Sequence, residues 1–534
     1  MKRLLIRAYT LFSSQSTTFY LILIIAGIFS IIVFPLCLIN NDYLNLVTAN
    51  YVDSGSILSG ILDMLSTVGN NSFYNQNLIF HGVYGYPYNS TVFLMFCILK
   101  FLIGISTTDH FKIYASFARL TSLMIAVLTI FQIYKIGVDY LNRWYSRVAY
   151  VLLAITFPPF FFSSFQMKQD LFGLFFSLLC FHNLYEFHVH KNRKILWKSI
   201  VFFTLAVLNK QPFIFLIFPI SLIVVNRMRH MNKLVVLMQL IKGATLSLLL
   251  SFLIHPYLFL DFKGFVYRQS ILFNGNIAQS MTVTFYEWLA VIQQSNYLIL
   301  LSVTPFILLI VMGVSTLFKQ SIFPKNTIQL LFSFVIYSIT YLIWLVMKVG
   351  PLKYEFYFLP IYPYSLLLVT IMIERPIDVF VKFIVPHKFS KIHVYFPLVV
   401  HILVIYLLGL LITMGFQPLY KIYAENHNFK EKSNVLIAQR INISDFGKSN
   451  TAINIMHTVT IPINSQKFGT DRNTWQLGDS GTMKKTICIT FKPDVVVIDK
   501  KYPYENNIKF WTEIMLKCNF KNRYSPSSDF ALFY

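Results

Sequence analysis

Two carboxylates stand where the chain leaves a long apolar run. Asp42 follows the first run within a few residues in INNDYLNLVTANYVDSGSIL, and Asp170 falls between the third and fourth in FPPFFFSSFQMKQDLFGLFF. A carboxylate so placed can take a proton from a substrate presented at a membrane surface. The competing reading of Asp42 is a solvated acid that marks the end of a span; that of Asp170 is a first-turn helix acid favoured by the dipole, with Lys168 as its partner. Asp53 and Asp63 read as solvated helix residues. Cations accompany these acids. Lys210 in VLNKQPFIFLIF lies between two short apolar runs with Pro212 close behind, and VMKVGPLKYEFYFLPIYP sets Lys348 and Lys353 beside Glu355, Tyr357 and a rigid aromatic-proline run. Lysines at a lipid–water boundary present point charges to a phosphate, although snorkelling anchors have the same look. The stretch HPYLFLDFKGFVYRQSILFNGN adds Lys263 and Arg268, with Gly264 and Gly275 as hinges of a lid-like loop or of an ordinary connection.

Other chemistries find little support. No Gly-rich phosphate loop, HExxH or CxxC pair occurs, and the twelve histidines show no ligand spacing. His188 and His190 sit in a basic stretch and read as solvated. One carboxylate from each of two loops is too few ligands to define a metal site, so no cofactor is assigned, and a divalent metal shared by Asp42 and Asp170 stays open. Cys37, Cys97 and Cys180 lie in apolar runs and read as packing residues. Cys488 and Cys518 could form a disulfide in an oxidising compartment.

The elements that must position these groups are membrane helices. Of 534 residues 56% are apolar and only 13% charged, with mean hydropathy +0.60. That composition excludes a soluble enzyme, a disordered chain and a secreted cysteine scaffold. The net charge of +23 would suggest nucleic acid in another setting, but here it reads first as a topology signal, and no nucleic-acid partner is expected. About 20 apolar residues span a bilayer. Such runs fall at roughly 18–38, 114–137, 147–165, 170–187, 196–209, 211–226, 235–258, 295–317, 327–347, 357–374 and 393–414, and the two flanking Asn209–Pro212 are short enough to form a re-entrant pair. The short run 91–106, with Lys100 in its middle, reads as a helix lying in the interface. With Met1 cytoplasmic, this arrangement keeps RWYSR, HVHKNRK and RMRH inside, as basic short loops prefer. The sequons at Asn70, Asn89 and Asn442 then all face outward. The expected architecture is a polytopic α-helical membrane protein of about eleven spans. Residues 1–414 form the transmembrane domain, with a first outer loop at 39–113, and residues 415–534 an extracytoplasmic α/β domain. In that domain KKTICITF and DVVVID read as strands and KEKSNVLIAQRI as a helix.

These pieces resemble the GT-C integral membrane glycosyltransferases, in particular the branch of protein O-mannosyltransferases and lipid A aminoarabinose transferases. The likeness runs in order over roughly 18–375. An acid opens the first outer loop, and the aromatic-Pro segment VYGYPYNSTVFLMFCILKFLIG leads into a juxtamembrane helix. Arg119-Leu120 begins the second span, FPPFFFSSFQMKQDL closes the third, and LNKQPFIFL and EFYFLPIYP follow. Two departures stand out. Asp42 is followed by Tyr43 where the family often pairs acids, and Tyr86-Pro87 replaces a Lys-Pro pair, which argues against aminoarabinose and lipid A as substrates.

The resemblance implies a sugar carried on polyprenyl or dolichyl phosphate, transferred with inversion on the extracytoplasmic side to a lipid, glycan or protein hydroxyl. Asp42 would act as base, with Asp170 orienting the acceptor. Lys210, Lys353, Arg268 and Tyr357 would bind the lipid phosphate. The membrane would be a bacterial inner membrane or the endoplasmic reticulum. The alternative is a polytopic transporter or lipid-linked sugar flippase, but such carriers usually have ionisable groups at mid-membrane depth and inverted repeats; here Lys242 is the only clear mid-span ionisable residue, the acids gather at the expected outer ends, and no internal repeat is seen.

Overall fold

In a computed structural model, the structure describes residues 15–39, 86–104, 111–190, 195–229, 232–254, 296–317, 325–348 and 355–384, five short strands between 452 and 533, and ten isolated positions. The chain divides into two compact units: residues 1–34, 78–91 and 121–422 form one, and residues 35–77, 92–120 and 423–534 the other.

The helices are α1 Gln15–Leu38, α2 Tyr86–Cys97, α3 Phe111–Tyr140, α4 Trp144–Ile155, α5 Pro158–Ser164, α6 Asp170–His188, α7 Leu196–Asn209, α8 Ile217–Met228, α9 Lys233–Ile254, α10 Asn296–Leu317, α11 Lys325–Lys348 and α12 Tyr362–Ile384. A π turn, Ile98–Leu102, prolongs α2; 3₁₀ turns Gln211–Leu216 and Glu355–Phe358 precede α8 and α12. Among the described residues five helical segments are long and apolar enough to cross a bilayer, and a bent pair would make a sixth. The protein is an integral membrane protein.

Prolines set the breaks. The run expected at 147–165 is α4 and α5, bent by 67°. Pro158 and Pro159 lack the N–H groups that would continue α4, but suit the first positions of a new helix. Likewise α7 ends at Asn209, Lys210 is extended (φ −154°, ψ 125°), and Pro212 opens the 3₁₀ turn.

In the first unit α6 is buried on nearly every side, so it reads as a core helix, not an amphipathic one. Phe181 packs on Phe334 of α11 and Tyr364 of α12, at 4.7 and 4.6 Å between ring centres. On α9 the buried positions Gly243, Ser247 and Ser251 recur every four residues, and a Cβ on Gly243 would lie 2.7 Å from the Ile200 side chain of α7. Small residues at that spacing let membrane helices approach closely. The rest of α9 turns Leu234, Met238, Ile241, Leu248 and Phe252 outward, as a lipid-facing surface does.

In the second unit Phe96 and Tyr114 meet edge to face at 4.8 Å. Lys100 donates to the Leu65 carbonyl at 2.9 Å, inside a helix that extends the expected 91–106 element back to Tyr86 and ends before Gly104 (φ +76°). Five strands, β1 Ala452–Asn454, β2 Thr474–Gln476, β3 Val495–Asp499, β4 Arg523–Ser527 and β5 Phe530–Phe533, form a mixed sheet in the order β2-β1-β3-β5-β4. β1 is parallel to β2 and β3; β5 is antiparallel to β3 and β4. β3 is the expected DVVVID strand; KKTICITF, KEKSNVLIAQRI, Cys488 and Cys518 lie outside the described residues, as does most of the 393–414 run.

Asn89 lies buried within α2. One expectation is corrected. His188 is buried in the last turn of α6, not solvated; only His190 is exposed.

Candidate functional site

Three of the expected residues come together in the first unit. Asp170 occupies the first turn of α6, Lys210 the joint after α7, and Tyr357 the 3₁₀ turn before α12. Lys210 Nζ donates to Asp170 Oδ1 in an ion pair whose side chains are 17% and 8% exposed. The same ammonium lies 5.4 Å from the centre of the Tyr357 ring, within cation–π range. The acid's ion-pair partner is thus a lysine 40 positions away; the pairing expected with Lys168 is superseded. Asp42, Arg268 and Lys353 lie outside the described residues.

The supports of this cluster carry no charge, and sequence reasoning passed over them. A Cβ on Gly173 would stand 2.3 Å from the Phe213 ring, so glycine lets the 3₁₀ turn after Lys210 lie against the first turn of α6. Asn209, fully buried, donates to the Leu205 carbonyl at 2.8 Å and accepts the Tyr88 N–H at 3.3 Å. It thereby ties the end of α7 to the N-terminus of α2, satisfying an amide that α2 itself leaves open. Tyr88 meets Phe172 edge to face at 5.2 Å and shares a hydrogen bond with Ser122 at 3.3 Å. Tyr341 on α11 donates to the Tyr357 carbonyl at 2.6 Å, which holds the third corner. The available signals were a glycine three residues after Asp170 and a polar residue just before Lys210.

Gly173→Ala is therefore expected to displace Phe213 and pull Lys210 from Asp170. Overpacking of this kind costs about 1–3 kcal/mol. A lowered melting temperature of the purified protein, partly restored by Phe213→Leu in the same chain, is the expected result; unchanged melting would show that the contact yields freely.

The opposite end of α6 carries a separate polar set. His182 and Asp139 pair at 2.8 Å, and Glu374 accepts the Asn142 N–H at 2.9 Å. His182 is twelve residues beyond Asp170, about 18 Å along the helix axis. Among the described residues no three His, Cys, Asp or Glu side chains gather closely enough to hold a metal ion. The geometry at Lys210 suits an anion: a half-buried ammonium at a helix junction, fixed by a carboxylate that can share it and by an aromatic face.

This helical membrane fold has a counterpart among solved structures. The chain is similar along nearly its whole length to the crystal structure of ArnT from Cupriavidus metallidurans bound to undecaprenyl phosphate. The TM-score is 0.50 and the identity 12%, with 97% of this chain and 98% of that chain covered. The apo state of the same ArnT gives a TM-score of 0.39 at 10% identity over 84% and 86% of the two chains. Residues 93–259, which include Asp170 and Lys210, match the family model described as dolichyl-phosphate-mannose-protein mannosyltransferase. No curated protein matches the sequence.

Proposed function

We propose that this chain is a glycosyltransferase that moves a sugar from a polyprenyl- or dolichyl-phosphate donor to an acceptor hydroxyl on the extracytoplasmic side, with inversion. The observation that carries the reading is the Asp170–Lys210–Tyr357 cluster, built on a buried carboxylate, in a chain whose fold is similar to that of ArnT. In this reading residues 1–414 form a catalytic transmembrane domain of about eleven spans, with Met1 cytoplasmic. Residues 415–534 form an extracytoplasmic α/β domain.

The reaction divides among named groups. The acceptor oxygen attacks the anomeric carbon as its proton passes to the Asp42 carboxylate. The bond from that carbon to the phosphate oxygen breaks, and its electron pair leaves with the lipid monophosphate. Lys210 stabilises the charge gathering there, joined by Lys353 and Arg268, while Tyr357 bounds the phosphate site. Preorganised cations act most strongly where water is excluded. Asp170 holds Lys210 in place before the donor arrives, then orients the acceptor.

The test uses purified full-length protein with radiolabelled polyprenyl-phosphate sugars. Transfer of label to an acceptor, or release of free sugar from the donor, is the expected outcome. Movement of intact donor across a vesicle bilayer with no bond broken, or inertness towards several donors, would replace the transferase by a carrier.

A further inference from the structure

Lys242 is ten residues into α9, and sequence alone places it in mid-membrane. In the structure its ammonium lies 4.7 Å from the centre of the Trp197 ring, while Lys198 lies 5.8 Å from the same centre. Both lysines are exposed. The close approach at Gly243 creates this arrangement, since a Cβ there would lie 3.2 Å from Trp197 Cα. Trp197 belongs to the first turn of α7, at the end of that helix away from Lys210. Lys242 is thus level with the start of α7, yet about 14 Å along α9 from its own N-terminus.

Two ammonium groups against one indole form an incomplete site. Among the described residues neither lysine meets a carboxylate; the negative face of the indole is what they share. Their surroundings are the outward face of α9, where Met238 and Ile241 are exposed next to Lys242. Bare ammonium groups on a lipid-facing surface are costly, so they draw in a counter-ion or reach for the interface. From that side the available anion is the headgroup phosphate of a membrane lipid. We infer that Lys198, Lys242 and Trp197 form a binding site for an anionic glycerophospholipid headgroup, in the leaflet opposite the Asp170–Lys210 cluster. The indole flanks the phosphate, and the two ammonium groups contact its oxygens.

The site is tested on the full-length protein, stripped of lipid in detergent and offered equal amounts of phosphatidylglycerol and phosphatidylcholine. Bound lipid is then read by native mass spectrometry. The wild-type protein is expected to retain phosphatidylglycerol preferentially. In Lys198→Gln/Lys242→Gln the preference should fall by roughly fivefold per lysine, the size of one cation's attraction at a lipid surface. Lys198→Arg/Lys242→Arg should keep it, which separates lost charge from lost folding. Excess polyprenyl phosphate should leave the bound phosphatidylglycerol in place. Equal retention of the two lipids by the wild type, an unchanged preference in the glutamine variant, or displacement by polyprenyl phosphate would each overturn the assignment. The last would place the lipid at Lys210 instead.

Discussion

Lys210→Met is expected to lower kcat/KM for a lipid-phosphate sugar by about two to three orders of magnitude, as loss of one preorganised charge-stabilising donor usually does. The same change leaves the Asp170 carboxylate, 8% exposed, without its ion-pair partner. Removing one member of a buried pair destabilises by about 3–5 kcal/mol. Loss of activity in the single variant therefore has two sources, and Asp170→Asn separates them. The double variant Lys210→Met/Asp170→Asn holds no buried unpaired charge, so its melting temperature should return towards that of the wild type while transfer stays low. Lys210→Arg keeps the charge but replaces a point ammonium by a wide planar fork beside Tyr357, so it should retain part of the activity with a raised KM for donor. Near wild-type turnover in Lys210→Met, measured in protein shown to be folded, would remove the lysine from the leaving-group role.

Asp170, Lys210 and Tyr357 were each legible in the sequence, because charged or phenolic groups beside proline breaks in apolar runs are rare. Their assembly was not. Nothing local in FQMKQDLFG distinguishes Lys168, two residues away, from a lysine 40 positions on, since the choice depends on how α6 and α7 pack. Gly173 and Asn209 were missed for the same reason. One acts by having no side chain where Phe213 must fit, the other by bonding to Tyr88, 121 residues earlier in the chain. Helix extents fared better: α6, α7 and α10 begin at or within one residue of the expected positions, because apolar run length and proline placement are local properties. Lys242 shows the limit of depth inferred from position in a run. Its neighbour α7 starts beside the tenth residue of α9, not beside its first, and that offset is a property of the packed pair.

Asp42→Asn is expected to reduce the rate of transfer by about two to four orders of magnitude, the usual contribution of a positioned general base, with donor binding left intact. The asparagine keeps the size and the acceptor oxygen but cannot take up a proton at neutral pH. The structure describes how the chain leading to this residue is held. Arg119, fully enclosed in the second unit, donates to the Ile39 carbonyl at 2.6 Å, and Cys37 donates through its thiol to the Arg119 carbonyl at 3.7 Å. Bonds in opposite directions thus fix the chain three residues ahead of Asp42 to α3. If that anchor positions the base, Arg119→Lys should slow transfer in the wild-type background and add little in the Asp42→Asn background. Residues acting through one group are non-additive, whereas independent defects multiply. The contrast with Lys210→Met is the sharper test. Loss of the base should lower kcat at unchanged donor affinity, while loss of the phosphate lysine should weaken both. Donor affinity falling equally in the two variants would move Asp42 from proton transfer to donor binding.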